Sequence, residues 1–170
     1  MALAYHAERN LPVVVGRFFN VVGPRQTGAY GMVLPRFIDA ALAGQPLTVH
    51  DDGLQQRCFA HVADIVEAVL SLMDTPQAFG QVINIGSDRP ISILDLARLV
   101  IGKVDPQLEI RFQTYAEAYS EDFEDCRCRV PELDRLRKMI GFSPKYDLNH
   151  AIDEIIADKS KPDDKPPVDR

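Results

Sequence analysis

Cysteine is scarce in this chain. Only Cys58, Cys126 and Cys128 occur, an odd count that builds no disulfide framework and fits a reducing cytoplasm. Cys126 and Cys128 form one C-x-C with no second pair to complete a zinc site, so no metal centre is expected. Long apolar runs are missing too. None approaches the roughly 18 residues of a membrane span, and the opening MALAYHAERN has no signal-peptide core. Positive charge is in deficit: 19 Lys and Arg stand against 25 Asp and Glu, a net charge of −6. That argues against a nucleic-acid or anionic-membrane partner, since both call for a basic surface. A small anion held by a few local arginines remains compatible with it. Neither glycine-rich phosphate loop, GxGxxG or GxxxxGK[ST], is present.

What is there is a globular composition. The 170 residues are 46% hydrophobic, enough for one domain with a core. Residues 1–9 read as the last turns of a helix ended by Asn10 and Pro12. LPVVVGRFF, residues 11–19, is apolar on both faces, as in a buried parallel strand. A loop with glycines and a proline follows. Residues 32–43 read as a helix stopped by Gly44. Strands are expected at 46–50 and 56–62, divided by the turn DDG at 51–53. Asp64 is placed to cap a helix over 65–74, and VINIG, 82–86, reads as a further buried strand. Ser92 opens a helix with Asp95 completing a capping-box-like pattern. A short strand is expected at 109–112. Helices are expected at 130–141, with Pro131 in the first turn, and at 148–158. The tail from residue 159 is charged and proline-rich, the composition of a disordered segment. The expected division is therefore a domain over 1–158 and a tail over 159–170.

Strands alternating with helices define an α/β class with a parallel component. The mixture predicts the last strands of a doubly wound sheet with a smaller lobe woven through them. About sixteen residues precede the end of the first strand, fewer than the strand–turn–helix unit that opens a nucleotide-binding fold. The chain is thus expected to be the back half of a larger enzyme.

In such sheets ligands bind beyond the carboxyl ends of the strands. Asn20 stands there, with an amide suited to a sugar hydroxyl or phosphate oxygen; a turn asparagine bonded to its own backbone is the alternative. Arg57 shares its strand face with Phe59 and His61. It can hold a diphosphate through its guanidinium fork or pair with Asp51, Asp52 or Asp64. Arg127 and Arg129 precede Pro131 and can form an anion site at a helix N-terminus, or pair with Glu121, Asp122, Glu124 and Asp125. His50 and His61 belong to no metal spacing or triad. Tyr30, Tyr115 and Tyr119 read as packing residues.

Four segments in succession carry a resemblance: RFFNVVGPRQTGAYGMVLPRF, GQPLTVHDDGLQQRCFAHVADIVEAV, VINIGSDRPISILDLA and RVPELDRLRKMIGFSPKYDL. The chain resembles the C-terminal half of the NAD-dependent epimerase/dehydratase family, the extended short-chain dehydrogenases acting on nucleotide sugars. The resemblance implies the C-terminal part of a Rossmann-like NAD-binding fold with its smaller nucleotide-sugar-binding lobe. It implies that Asn20, Val33, Arg36, Leu47, Val49, His50, Arg57 and Arg129 bind the substrate. Arg57 and Arg129 would clamp the diphosphate; Leu47 to His50 would read uracil or thymine through their backbone. Phe18 and Phe19 would border the nicotinamide of NAD. His50 stands where many relatives carry tyrosine, and Cys128 where close relatives often carry arginine. The family's glycine-rich NAD loop and Tyr-x-x-x-Lys pair do not occur here, so no catalytic residue is expected in this chain. The activity implied for the parent is C4 epimerisation of a UDP-hexose, as in UDP-glucose 4-epimerase. Decarboxylation of UDP-glucuronate and 4,6-dehydration of dTDP-glucose are the alternatives, with a non-catalytic nucleotide-sugar-binding fragment as a third. A homodimer, or pairing with an N-terminal half, is the implied assembly.

Overall fold

The computed structural model describes residues 1–28, 32–114 and 126–161. The chain opens with helix α1, Ala2–Arg9. Asn10 ends it in the left-handed region at φ 53° and returns its N–H to the His6 carbonyl, a conformation asparagine tolerates. Strand β1 is Val15–Phe18 and β6 is Val82–Ile85; they pair in parallel with Val15 opposite Val82 and Phe18 opposite Ile85. β6 has the buried apolar face expected, at Ile83 and Ile85, whereas β1 is half-buried at Val15 and Gly16 and exposed at Arg17 and Phe18, short of the burial expected of a strand apolar on both faces. Helix α3, Val62–Met73, packs with this pair, and so does a short helix α5, Asp134–Ile140. Ile65, Ala68, Leu72, Ile83, Ile85 and Leu136 form the core there.

A second core sits under strand β3, Leu47–His50, which pairs in parallel with β8, Ile110–Gln113. Three helices cover it: α2, Val33–Leu42; α4, Ile93–Val104; and α6, Leu148–Lys159. Ile38, Leu47, Val49, Leu96, Val100 and Ile152 are fully buried in it. Between the two cores run short strands. β2, Val21–Val22, pairs in parallel with β5, Ala60–His61. β4, Gln56–Cys58, lies between β7, Pro90–Ser92, and β9, Cys128–Arg129. The α/β architecture, parallel pairs on one core and a helix-covered lobe on the other, is the one the alternation of elements predicted.

Several local expectations are corrected. The strand expected over 56–62 is broken at Phe59 into β4 and β5. The strands on either side of the DDG turn do not pair with each other in the described ladders: β3 pairs with β8, and β4 pairs antiparallel with β7. Helix α3 begins at Val62, and its cap is His61, whose side chain accepts from the Ala63 N–H. Asp64 is buried instead, and its carboxylate accepts from the backbone N–H groups of Lys145 and Tyr146 at 3.0 and 3.2 Å. The helix expected over 130–141 begins at Asp134, leaving Pro131 ahead of it; Gly141 does end it, at φ 63°. Ser92 caps α4 as expected, accepting from the Asp95 N–H at 3.0 Å. Lys159, expected in the tail, closes α6 and pairs with Asp39 at 2.5 Å. Tyr30, Tyr115, Tyr119, the acidic run 121–125 and tail residues 162–170 lie outside the described residues. Among the described residues no helix is long and apolar enough to cross a membrane, and no His, Cys, Asp or Glu group could hold a metal ion.

Candidate functional site

Two arginines meet across a strand pair. β4 and β9 run parallel, and Arg57 stands opposite Arg129 in their register. Register partners on parallel strands share a face and lie roughly 4.8 Å apart at the backbone. Two arginines are therefore held side by side, where their like charges repel each other. The Arg57 Nη1 donates to the carbonyls of Gln56 and Cys126, each at 2.8 Å. Arg129 is exposed, and its guanidinium has no hydrogen bond or ion pair among the described residues.

The carboxylates weighed as partners for Arg57 are engaged elsewhere. Asp64 serves the 145–146 backbone, and Asp51 and Asp52 hold Arg127. The Arg127 Nη1 reaches both Asp52 oxygens at 2.7 and 2.8 Å, and its Nη2 reaches Asp51 at 3.2 Å. The hydrogen bonds from Arg127 hold the Asp52 carboxyl below its ordinary value. Arg129 reaches the site by strand pairing rather than from a helix N-terminus, since α5 begins five residues further on.

A cleft of about 620 Å³ opens beside α2 and β3. Val33, Arg36 and His50, three of the residues the resemblance singled out, line it together with Gly28, Gln45 and Thr48. Leu47 and Val49 do not face it; both side chains are fully buried in the lobe core. Strand alternation explains the split, because residues 47 and 49 point one way and 48 and 50 the other. The same period of two could have placed Thr48 with His50 from the sequence. Leu47 and Val49 therefore offer no side chain to this cleft.

Asn20, at the end of β1, is in the left-handed region at φ 37°. Its amide donates to the Cys58 carbonyl at 2.8 Å, and its own carbonyl accepts from the Ala60 N–H. It thus ties β1 to the β4–β5 junction rather than bonding within its own turn. Phe18 and Phe19 take opposite faces. Phe18, 56% exposed, folds over Gly16 into an apolar cleft of about 350 Å³ against Val69, Leu72 and Met73 of α3. Phe19 rests on Gly86, where a Cβ would come within 2.9 Å of the Phe19 Cβ. The two rings therefore lie apart, Phe18 against α3 and Phe19 against Gly86.

The three thiols are free and differ sharply. Burial, followed by the nearby Asp88 and Cys128, pushes the Cys58 thiol up to about 11. Since the thiolate is the reactive form, Cys126 and Cys128 should react rapidly with a disulfide reagent at about pH 8 and Cys58 only after unfolding. Three thiols reacting at one rate would contradict the burial of Cys58.

Parallel strands under helices, with a helix-covered lobe beside them, define part of a doubly wound, Rossmann-like fold. Residues 1–86 match the NAD dependent epimerase/dehydratase family, and the chain belongs to that family. It is 38% identical over 152 residues to UDP-N-acetyl-alpha-D-glucosaminuronate decarboxylase of Bacillus cytotoxicus, covering 89% of this chain and 47% of that protein. It superposes on UDP-glucuronic acid 4-epimerase from Bacillus cereus, solved with UDP-glucuronic acid and NAD, with a TM-score of 0.79 and 25% identity over 91% of this chain and 47% of that one. UDP-glucose 4-epimerase from Thermotoga maritima gives a TM-score of 0.81 and 25% identity over 92% and 48%. The chain spans about half the length of the relatives it matches. NAD is the cofactor of the family.

Proposed function

We propose that this chain forms the nucleotide-sugar half of an NAD-dependent enzyme acting on a UDP-linked uronic sugar, with decarboxylation the favoured reaction. The single observation that carries the binding role is the register of Arg57 against Arg129. Two guanidinium forks on one face match the oxygens of a diphosphate. The cleft lined by Val33, Arg36, Thr48 and His50 takes the base, with the backbone of Leu47 and Val49 along its wall. Asn20 meets the sugar or the phosphate beside it. Support for a uronic sugar comes from two relatives that share it, one a decarboxylase and one a 4-epimerase. C4 epimerisation of a UDP-hexose is the second reading, favoured by the likeness to the Thermotoga maritima enzyme.

NAD, when bound, supplies the hydride acceptor that oxidises the sugar; Phe19 is the residue here that would border it. The rest of an NAD site would correspond to the part of the relatives' length that this chain does not span. Among the described residues β1 pairs only with β6. The face of β1 that carries Val14, Gly16 and Phe18 opens on an apolar cleft with Val69 and Met73 of α3, and Phe18 and Met73 are both exposed there. Three free thiols fit a reducing cytoplasm.

Isothermal titration tests this reading. The chain alone should bind UDP-glucuronate and UDP in 1:1 stoichiometry, bind uridine far more weakly, and turn over none of them. Equal binding of uridine and UDP would remove the diphosphate clamp. Decarboxylation or epimerisation by a rigorously pure sample would show that the chain carries its own redox site.

A further inference from the structure

Strand β9 carries Arg129, yet little of the sheet holds it. It is two residues long, lies at the edge of its sheet, and has two register pairs with β4. So short a pair is not stable by itself. Two further backbone ties reach it: the Gln56 N–H donates to the Arg127 carbonyl at 2.8 Å, and Arg57 donates to the Cys126 carbonyl at 2.8 Å. Two side chains of this segment reach across as well: the Cys128 Sγ lies 3.8 Å from the Gln56 Oε1, a weak contact, and the Arg127 fork spans the carboxylates of Asp51 and Asp52.

We propose that Arg127 is a positioning residue for the diphosphate clamp: gripping Asp51 and Asp52, it holds β9 against β4 so that Arg129 stands beside Arg57. The inference rests on the reading of Arg57 and Arg129 as that clamp.

The turn that receives the fork is fixed. Asp52 Oδ1 also accepts from the Leu54 N–H at 2.9 Å, and the Gly53 carbonyl accepts from the Leu94 N–H at 2.9 Å, docking the turn on α4. Gly53 is required there: φ is +71°, and a Cβ would lie 2.7 Å from Val49 Cγ1. Asp51 has φ 55°, a conformation glycine adopts more readily. An aspartate at that position supplies the second carboxylate. The turn thus presents two acidic groups from a rigid frame to an arginine 75 residues away in sequence. A bidentate contact fixes orientation as well as distance, which a point contact from lysine would not.

The charges also matter. Arg57, Arg127 and Arg129 bring three positive charges to this edge, and Asp51 and Asp52 remove two. Arg127 could therefore act merely by neutralising the aspartates near an anion. The experiment must separate that role from positioning.

Binding of UDP is measured by titration calorimetry and by 31P NMR of the bound diphosphate, for the wild-type chain, Arg127→Ala, Arg129→Ala and the triple variant Arg127→Ala/Asp51→Asn/Asp52→Asn. Positioning predicts about 10-fold weaker binding for Arg127→Ala, the size of one lost charge-assisted hydrogen bond, with a moved β-phosphorus resonance. It predicts that the triple variant stays weak although its clamp carries more net positive charge than the wild type. Wild-type affinity in the triple variant would make Arg127 a neutraliser only and overturn the inference, as would wild-type affinity in Arg127→Ala. Arg127→Lys covers alanine variants that fail to fold: it keeps the charge but not the fork, and should bind about threefold weaker. Wild-type affinity for the lysine variant overturns the inference equally. Loss of binding in Arg129→Ala alone would leave the clamp standing and remove only the role of Arg127. No binding of UDP by the wild type would remove the clamp and the inference with it.

Discussion

Arg129→Ala should weaken UDP-sugar binding roughly 10- to 100-fold, the range expected for charge-assisted hydrogen bonds to a phosphate, and leave stability unchanged. The second half of that expectation is the sharper one. Arg129 is exposed, and its guanidinium has no hydrogen bond or ion pair among the described residues, so the free protein loses nothing when the guanidinium goes. Arg57→Ala should differ. Its Nη1 ties β4 to the Cys126 carbonyl, so its loss should weaken binding and loosen β9 together. Calorimetry gives the affinities, and urea midpoints give the stabilities. The affinity of the wild type should also fall as salt rises, because the contacts are exposed and screened. Arg129→Ala with wild-type affinity would mean that the paired arginines do not hold the diphosphate.

Asp64→Ala should lower the unfolding free energy by about 2–4 kcal/mol, since it strands two backbone N–H donors that have no other acceptor in place. The Asp64 side chain is 3% exposed and accepts from Lys145 and Tyr146, stitching α3 to the segment before α6. For a domain of this size that loss corresponds to a fall of about 5–15 °C in Tm. Asp64→Asn retains one acceptor oxygen and should lie between. Nucleotide-sugar affinity, measured where both variants remain folded, should change little. A drop below about 0.5 kcal/mol, the level of an ordinary surface change, would show that the carboxylate is not the acceptor of those two groups.

The sequence made some of this visible and hid the rest for identifiable reasons. β6, with Val82, Ile83 and Ile85, carries the β-branched apolar pattern of a parallel strand, and β1 was legible from the valine run 13–15 that leads into it, although Arg17 and Phe18 at its end are exposed. Ser92 with Asp95 announces the start of α4 because a cap is a local device. Asp64 misled for the same reason: an acid before an apolar helical run resembles a cap, but His61 had taken that place three residues earlier. Pro131 likewise suggested a helix start that comes only at Asp134. The two-residue strands β2, β5 and β9 are too short to carry any period, so the register that joins Arg57 to Arg129 had no local trace. Their pairing was suggested by the resemblance and not by spacing. The hold of Arg127 on Asp51 and Asp52 spans 75 residues, and charges so far apart give no sign of meeting. In the base cleft the alternation along β3 was legible, and it separates Thr48 and His50 from the buried Leu47 and Val49.

Thermal unfolding of the 170-residue chain, alone, with UDP-glucuronate and with NAD, tests the central claim most directly. A ligand raises the midpoint only of the folded state that binds it. One cooperative transition raised by UDP-glucuronate and not by NAD is the expected result. A transition raised by NAD alone, or one that millimolar UDP-glucuronate leaves unmoved, would contradict a nucleotide-sugar half.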